Sequence, residues 1–269
     1  MSFTFFLSHG APPLLIEDRL FVNALRALAE ELVRLQPDLI VMASPHWMAD
    51  HQFLVNIAPQ PKCIQDYYGF PAEFYEYRYD APNDPAFAEQ IVIAGQRRGL
   101  PVRGTKEWGL DHGAWVPLYL MFPERKIPVL PISSATLTPT AHYQWGEAIR
   151  ETAAVSGKKV LFIGTGSTIH RLDLVRFGYA GSELYPPGRA FDELLFKLLS
   201  EGKHEEILQL AKSESVLFQQ AAPEGDLRTL YLTLGAAGRN AHGEILCYEP
   251  WYYAASLVAI RFQLPPIEV

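Results

Sequence analysis

Four histidines occupy positions from which imidazoles commonly do chemistry. His9 follows the apolar segment FTFFL, His46 follows LIVMAS, and His170 lies just beyond VLFI and its Gly164-Thr165-Gly166-Ser167 turn. His112 sits in the loop Gly109-Leu110-Asp111-His112-Gly113, ahead of a helix-like stretch from Trp115 to Met121. In open α/β sheets, ligands gather beyond the carboxyl ends of the strands. Three histidines leaving three separate strands can therefore converge although they are far apart in sequence. Imidazole binds zinc, iron, copper and nickel, and it is the usual acid or base near neutral pH. Taken singly, each is ordinarily a capping or otherwise satisfied polar residue. As a group at matching strand ends they form a candidate site. His51, in a polar turn, and His142, His204 and His242, among charged or small residues, read as solvated surface.

Other chemistries find less support. Gly164-Thr165-Gly166-Ser167 after a strand suggests a phosphate loop, but Ile169 stands where a dinucleotide fingerprint needs its third glycine. The Gly-Lys-Ser/Thr of a P-loop is also absent. A tight turn that aims His170 into a pocket explains these glycines better. Cys63 lies in a Pro-rich loop and Cys247 in the strand-like run EILCY, and neither has a nucleophile's surroundings. The aromatic segment Tyr67-Tyr68-Gly69-Phe70-Pro71 can wall a pocket for a flat ligand, although composition alone favours ordinary loop packing. Glu107, Asp111 and Trp108 surround His112 in sequence, and a carboxylate among them could orient an imaidazole ring.

The elements that must position these residues are readable in the apolar pattern. Leu39–Ser44, Ile127–Ile132 and Lys159–Ile163 are short, continuous apolar runs bounded by turn signals, with Thr4–Leu7 as a fourth. Such runs suit strands covered on both faces. Helical periodicity lies between them. Leu20–Leu35 places Leu20, Ala24, Leu28, Leu32 and Leu35 three and four residues apart, and Asp84-Pro85 opens a helix through Gln96. Further helices are predicted over 142–154 and 190–199. Strand and helix in alternation predict an α/β fold: a three-layer α/β/α sandwich with a mostly parallel central sheet, one domain over residues 1–269. The Pro/Gly/aromatic stretch from Asp66 to Pro85 interrupts the pattern and reads as a long loop over one edge.

Composition narrows the partners. Of 269 residues, 49% are hydrophobic and 20% charged, enough for a substantial core. The formal charge of −7 and the lack of a basic patch argue against nucleic acid as a partner. No run of about 18 apolar residues suggests a membrane span, and MSFTFFLSHG lacks the basic region of a signal peptide. Two cysteines cannot build a disulfide framework, so a cytoplasmic location is expected.

Five segments, in order, carry a family resemblance: Ser8-His9-Gly10-Ala11-Pro12, Ser44-Pro45-His46-Trp47, Asp66-Tyr67-Tyr68-Gly69-Phe70-Pro71, Asp111-His112-Gly113-Ala114-Trp115 and Gly166-Ser167-Thr168-Ile169-His170. Over roughly residues 1 to 190 the chain resembles the class III extradiol ring-cleavage dioxygenases of the DOPA-dioxygenase type, in the LigB superfamily. The resemblance implies O2-dependent opening of a catechol-like or aminophenol-like ring at a mononuclear metal. That metal would be Fe(II) in the active enzyme, with Zn possible in purified protein. By match to the motifs, His9 and His46 would be metal ligands, His170 the acid/base, and His112 a second imidazole bonding substrate or oxygen. A small aromatic substrate and O2 are the implied partners, with a homodimer as the family's usual assembly.

The resemblance breaks at one place. The family carries its remaining metal-site histidine in a Pro-Glu-His segment that opens a helix, and here the segment reads Pro223-Glu224-Gly225-Asp226. Three outcomes follow. Glu224 or Asp226 supplies a carboxylate ligand; His170 completes a three-histidine site better suited to Zn; or the chain is a metal-poor, noncatalytic subunit or binding module of a heteromeric dioxygenase. On helix geometry, side chains 224 and 226 project about 100° to either side of 225, so either needs a backbone shift to face the metal. Arg171 and the aromatic tail CYEPWYYAA depart from the family pattern too. Trp251, Tyr252 and Tyr253 in that tail can anchor an interface, since aromatic side chains are enriched there. A zinc hydrolase, the third functional class, has no nucleophile or oxyanion signature to support it.

Overall fold

In the computed structural model, which describes residues 3–176, 178–179, 181–211 and 215–264, one eight-stranded sheet carries the chain. The two ends of the single domain predicted over 1–269 thus lie outside the described residues. In chain order the strands are β1 (Phe3–Leu7), β2 (Leu39–Ala49), β3 (Phe53–Asn56), β4 (Val102–Thr105), β5 (Val129–Ala135), β6 (Val160–Thr165), β7 (His242–Trp251) and β8 (Ala255–Gln263). Across the sheet they run β4-β3-β5-β2-β6-β1-β8-β7. The centre is parallel, as its apolar runs predict: β2 pairs with β5 and β6, and β6 with β1. The sheet as a whole is mixed, because β3 meets β5 antiparallel and the β7–β8 hairpin adds an antiparallel edge beside β1.

Period-two alternation sends the strand side chains to two covered faces. Ile40, Met42, Leu161 and Ile163 turn towards α1 (Leu20–Arg34) and α3 (His112–Met121). Leu39, Val41, Val160 and Phe162 turn to the other face, towards α2 (Pro85–Arg97) and α4 (Pro139–Ser156). Beyond β1, that second face continues under α5 (Pro186–Ser200), α6 (His204–Gln209), α7 (Val216–Ala221) and α8 (Arg228–Ala237). The result is the α/β/α sandwich. Each large apolar side chain so buried contributes about 1.5–3 kcal/mol, and the core runs the whole width of the sheet.

Several local expectations are corrected. The buried stripe of α1 is Phe21, Val22, Leu25, Leu28, Ala29 and Leu32, so Leu20 stays outside at 73% exposure. The short strands β3 and β4 did not stand out in sequence. His142 and His204 are not solvated surface. Both are buried, and their ring nitrogens bond backbone: Nε2 of His142 accepts from the Ala135 N–H, and Nε2 of His204 lies 2.8 Å from the Ala241 carbonyl. His51 and His242 are exposed, as expected.

Two close approaches seat α8, the helix after Glu224. A Cβ on Gly235 would lie 1.9 Å from the Tyr143 carbonyl of α4, and one on Gly164 would lie 2.0 Å from Thr233 Oγ1. The absence of side chains at both positions lets α8 lie directly on α4 and on the end of β6.

Candidate metal centre

Each predicted site residue is presented by a different local device. After β1, Ser8 locks the chain to β8: its N–H donates to the Val258 carbonyl (2.8 Å) and its Oγ accepts from the Val258 N–H (2.9 Å). His9 follows, and Gly10 turns the chain away with φ +61°. β2 was expected to stop at Ser44. It runs on to Ala49 instead, with a register break between Ala43 and Met48 that bulges Ser44-Pro45-His46-Trp47 out of the ladder. Bulges re-aim side chains in this way, and here the side chain is His46.

His112 is not in a loop but is the first residue of α3. Asp111 caps that helix through the Ala114 N–H (3.1 Å) and also binds Ser44 Oγ (2.5 Å) and Trp108 Nε1 (2.9 Å). Gly113 leaves the space this requires, since a Cβ there would sit 2.4 Å from Ser44 Oγ and 2.9 Å from His46. His170 is held by a single bridge to Ala255 and by its N–H donating to the Ala221 carbonyl (3.1 Å).

These devices bring His9, His46, His112, His170 and Glu224 together. One ring nitrogen from each of His9, His46 and His112 lies within 4.8 Å of the others. The His46 and His112 ring centres are 4.1 Å apart, and that of His9 is 5.0 and 5.4 Å from them. Glu224 reaches across the group. Its Oε2 lies 2.9 Å from His9 Nε2, and its Oε1 lies 3.3 Å from His46 Nε2 and 3.8 Å from His170 Nε2.

Backbone conformation places Glu224 and Asp226 differently, and the helical expectation fails there. Residues Glu224–Leu227 form a 3-10 turn with φ of +56°, +53° and +62° at Gly225, Asp226 and Leu227, and the regular helix begins only at Arg228. Projection angles taken from an ideal helix therefore do not apply. The Glu224 N–H donates to the Ser167 carbonyl (2.9 Å), which ties this turn to the loop leading to His170. Asp226 points outward, pairs with Arg228 at 2.9 Å and is 59% exposed. Gly225 packs against Pro45.

Asp66 is the functional candidate missed in sequence. It stands at the head of the aromatic segment, in the stretch read as an edge loop, and it binds both neighbouring imidazoles. Its Oδ2 lies 2.8 Å from His46 Nδ1, while its Oδ1 accepts from the His112 N–H (2.9 Å) and lies 2.9 Å from His112 Nδ1. It therefore takes the orienting role considered for Glu107 or Asp111; Glu107 is exposed and Asp111 caps α3. The available signal was its place at the head of one of the five segments that carry the family resemblance. Tyr67 itself lies edge-on to His112 at 5.5 Å, so part of the aromatic segment does border the site.

The donor set suits a cation. His9 Nδ1 lies 2.7 Å from the Gly10 carbonyl and His46 Nδ1 faces Asp66, so both rings carry hydrogen on Nδ1. Their Nε2 lone pairs then face the Glu224 carboxylate, lone pair against lone pair, with His46 Nε2 left without a hydrogen-bond partner. Only positive charge makes that contact attractive, either a proton or a metal ion. The electrostatics agree. Burial opposes a charged His46, yet Asp66 and Glu224 overcome it and raise its pKa to about 10. Burial likewise opposes the Glu224 and Asp66 carboxylates, and the surrounding imidazoles hold both well below the usual range. His112 and His170 are lowered, in each case chiefly by burial. Two imidazoles and a carboxylate on one face form the donor set that leaves open positions on non-haem Fe(II).

Because Asp66 orients two of the imidazoles, Asp66→Asn is predicted to weaken metal binding about 10–100-fold, as loss of such a partner typically does. Competition titration against a chelator measures this. Unchanged affinity would show that the rings hold their orientation without the carboxylate.

Three histidines whose ring nitrogens lie within 4.8 Å of one another, beside a carboxylate on an α/β/α sandwich, form a group that could hold a metal ion. The chain belongs to the family described as the catalytic LigB subunit of aromatic ring-opening dioxygenase, which matches residues 3–262. It is 36% identical over 254 residues to the 4,5-DOPA dioxygenase extradiol of Beta vulgaris, covering 92% of this chain and 91% of that protein. With the 4,5-DOPA dioxygenase extradiol of Escherichia coli (strain K12) it shares 32% identity over 236 residues, 86% and 83% of the two chains. The crystal structure of an uncharacterized Escherichia coli K12 protein has the same fold, with a TM-score of 0.75 over 96% of this chain and 98% of that one at 23% identity. The chain is thus an extradiol, ring-opening dioxygenase. No helix among the described residues is long and apolar enough to cross a membrane.

Proposed function

We propose that this enzyme cleaves a catechol, with Fe(II) held by His9, His46 and Glu224, His170 as the acid/base and His112 as a second hydrogen-bonding imidazole. The observation that carries the reading is the approach of the Glu224 carboxylate to the Nε2 atoms of both His9 and His46. When bound, the metal supplies open positions at which catechol and O2 meet and through which electrons pass between them.

The protein's own groups do the rest. His170 is the most accessible of the four imidazoles, with its side chain 31% exposed. Burial lowers its pKa, so at neutral pH it is uncharged and able to take a hydroxyl proton from the substrate. The same Nε2 can return that proton when the ring opens. His112, with Nδ1 on Asp66, presents its Nε2 lone pair as an acceptor for a substrate hydroxyl. Tyr67 offers an aromatic edge beside it. The two relatives' names make a catechol carrying an amino-acid side chain the first substrate to try, with aminophenols second. Zn would fill the same donor set without the redox chemistry. Sizing chromatography of the pure chain distinguishes a homodimer from a chain that awaits a second subunit.

The test is oxygen uptake by protein reconstituted anaerobically with Fe(II). One O2 consumed per catechol is expected, with none for the Zn-loaded protein. If protein carrying a full equivalent of Fe(II) consumes no O2 with any catechol or aminophenol, the proposal falls and the noncatalytic-subunit reading takes its place.

A further inference from the structure

Behind the imidazoles lies a buried polar cluster that the chemistry above does not use. Asp192, on α5, is 1% exposed. Its carboxyl faces the hydroxyls of Thr168, Ser256 and Tyr248. Neither carboxyl oxygen closes a well-aligned hydrogen bond, and nor does the Tyr248 hydroxyl. Thr168 Oγ1 and Ser256 Oγ bond one another at 3.0 Å, and the Ser256 carbonyl accepts from Ser8 Oγ at 3.1 Å. The cluster therefore joins two segments that present site residues to the strand that supports one of them. Ser8 precedes His9, Thr168 lies two residues before His170, and Ser256 follows the residue that bridges His170.

Helix α5 touches this region at a second point one turn away. A Cβ on Gly188 would lie 2.9 Å from Ile169, so the helix backbone presses directly on the loop. An unpaired buried carboxyl costs free energy, and an apolar side chain of similar volume would make the more stable core. What the carboxyl adds is a fixed direction for the Thr168–Ser256 hydrogen bond, in which either hydroxyl could otherwise be the donor.

We propose that Asp192 is a positioning residue that clamps the Thr168 and Ser256 hydroxyls, and through them the loop presenting His170. The proposal rests on the reading of His170 as the acid/base. Burial pushes the Asp192 carboxyl up to about 6, so in mildly acidic solution it is a neutral group able to donate as well as accept. An asparagine can do both, and an alanine can do neither.

The test compares Asp192→Ala and Asp192→Asn with wild type, all as full-length, metal-loaded protein. Hydrogen exchange of segment 167–171 is read beside kcat, KM and metal content. For Asp192→Ala, exchange is expected to accelerate in 167–171 and at the start of β8 while α1, α2 and β5 keep their protection. kcat should fall tenfold to a hundredfold, the scale of a misplaced catalytic group, with KM and metal content within about twofold. Asp192→Asn should recover most of both. If the alanine variant does not fold, the asparagine variant decides alone: near-wild-type kcat and local exchange support the clamp, and a wholesale loss of either overturns it. Acceleration spread over the whole chain, or an unchanged kcat, would show that Asp192 serves stability only. His170→Ala, run alongside, keeps the two questions apart. Should it retain wild-type kcat, the acid/base reading fails, while the exchange pattern still decides whether Asp192 holds the loop.

Discussion

Glu224→Ala is expected to release the metal and abolish ring cleavage, whereas Asp226→Ala, two residues away, leaves both within about twofold of wild type. The contrast follows from the left-handed turn at Gly225, Asp226 and Leu227. It aims Glu224 inward to 2.9 Å from His9 Nε2 and leaves Asp226 outside with Arg228. Without the carboxylate, two Nε2 lone pairs remain with no anion between them, and a divalent cation loses its charge-neutralising partner. Loss of an outer partner costs about 10–100-fold in affinity, so loss of a direct donor should exceed a hundredfold. Glu224→Gln keeps the shape and removes the charge, and it should fall between wild type and alanine. Elemental analysis with chelator competition reads all three. Full metal content in Glu224→Ala would mean that His9, His46 and His112 suffice, a three-histidine site of a kind their ring-nitrogen separation within 4.8 Å permits.

His170→Ala should behave oppositely, retaining the metal and losing turnover. A positioned general acid/base contributes about 10²–10⁴-fold, and kcat should drop by that range with metal content unchanged. The pH profile gives a second signature. Burial depresses the His170 pKa, so the ring is neutral above that value and gains a proton as pH falls through it, losing its capacity as a base. The acid limb of kcat in the wild type should therefore lie below the ordinary imidazole pKa of about 6.5 and vanish in the alanine variant. Initial rates of O2 uptake from about pH 5 to pH 8 measure it. A variant with undiminished kcat would transfer the role to His112, the other imidazole at the site.

Asp66, His142 and His204 show where sequence reasoning stops. None of the three ends a continuous apolar run, and the pattern around each is that of a surface or a loop. Their burial comes instead from distant segments: His204 is closed over by Ala241, 37 residues on, and Asp66 by His112, 46 residues on, while His142, bonded locally, lies under the ring of Phe53 from β3. β3 and β4 were missed for a related reason. Each is four residues long at one side of the sheet, too short for an alternating pattern to declare itself.

The sequence by itself determined the layered α/β architecture and the helices α1, α2, α4 and α5, because continuous apolar runs and three-to-four spacing record burial on one or both faces. It also marked His9, His46 and His170 as candidates by their places after apolar runs, which are local signals, although β2 continues past His46 to Ala49. Only the tertiary structure decided which carboxylates face those rings. That choice depends on three positive φ angles at residues 225–227, on the bulge that swings His46 out of β2, and on the closure of a long loop that returns Asp66 to the site. Backbone turns and loop closures of this kind are set by contacts between segments far apart in the chain, and such contacts leave no periodic trace in the residues they bring together.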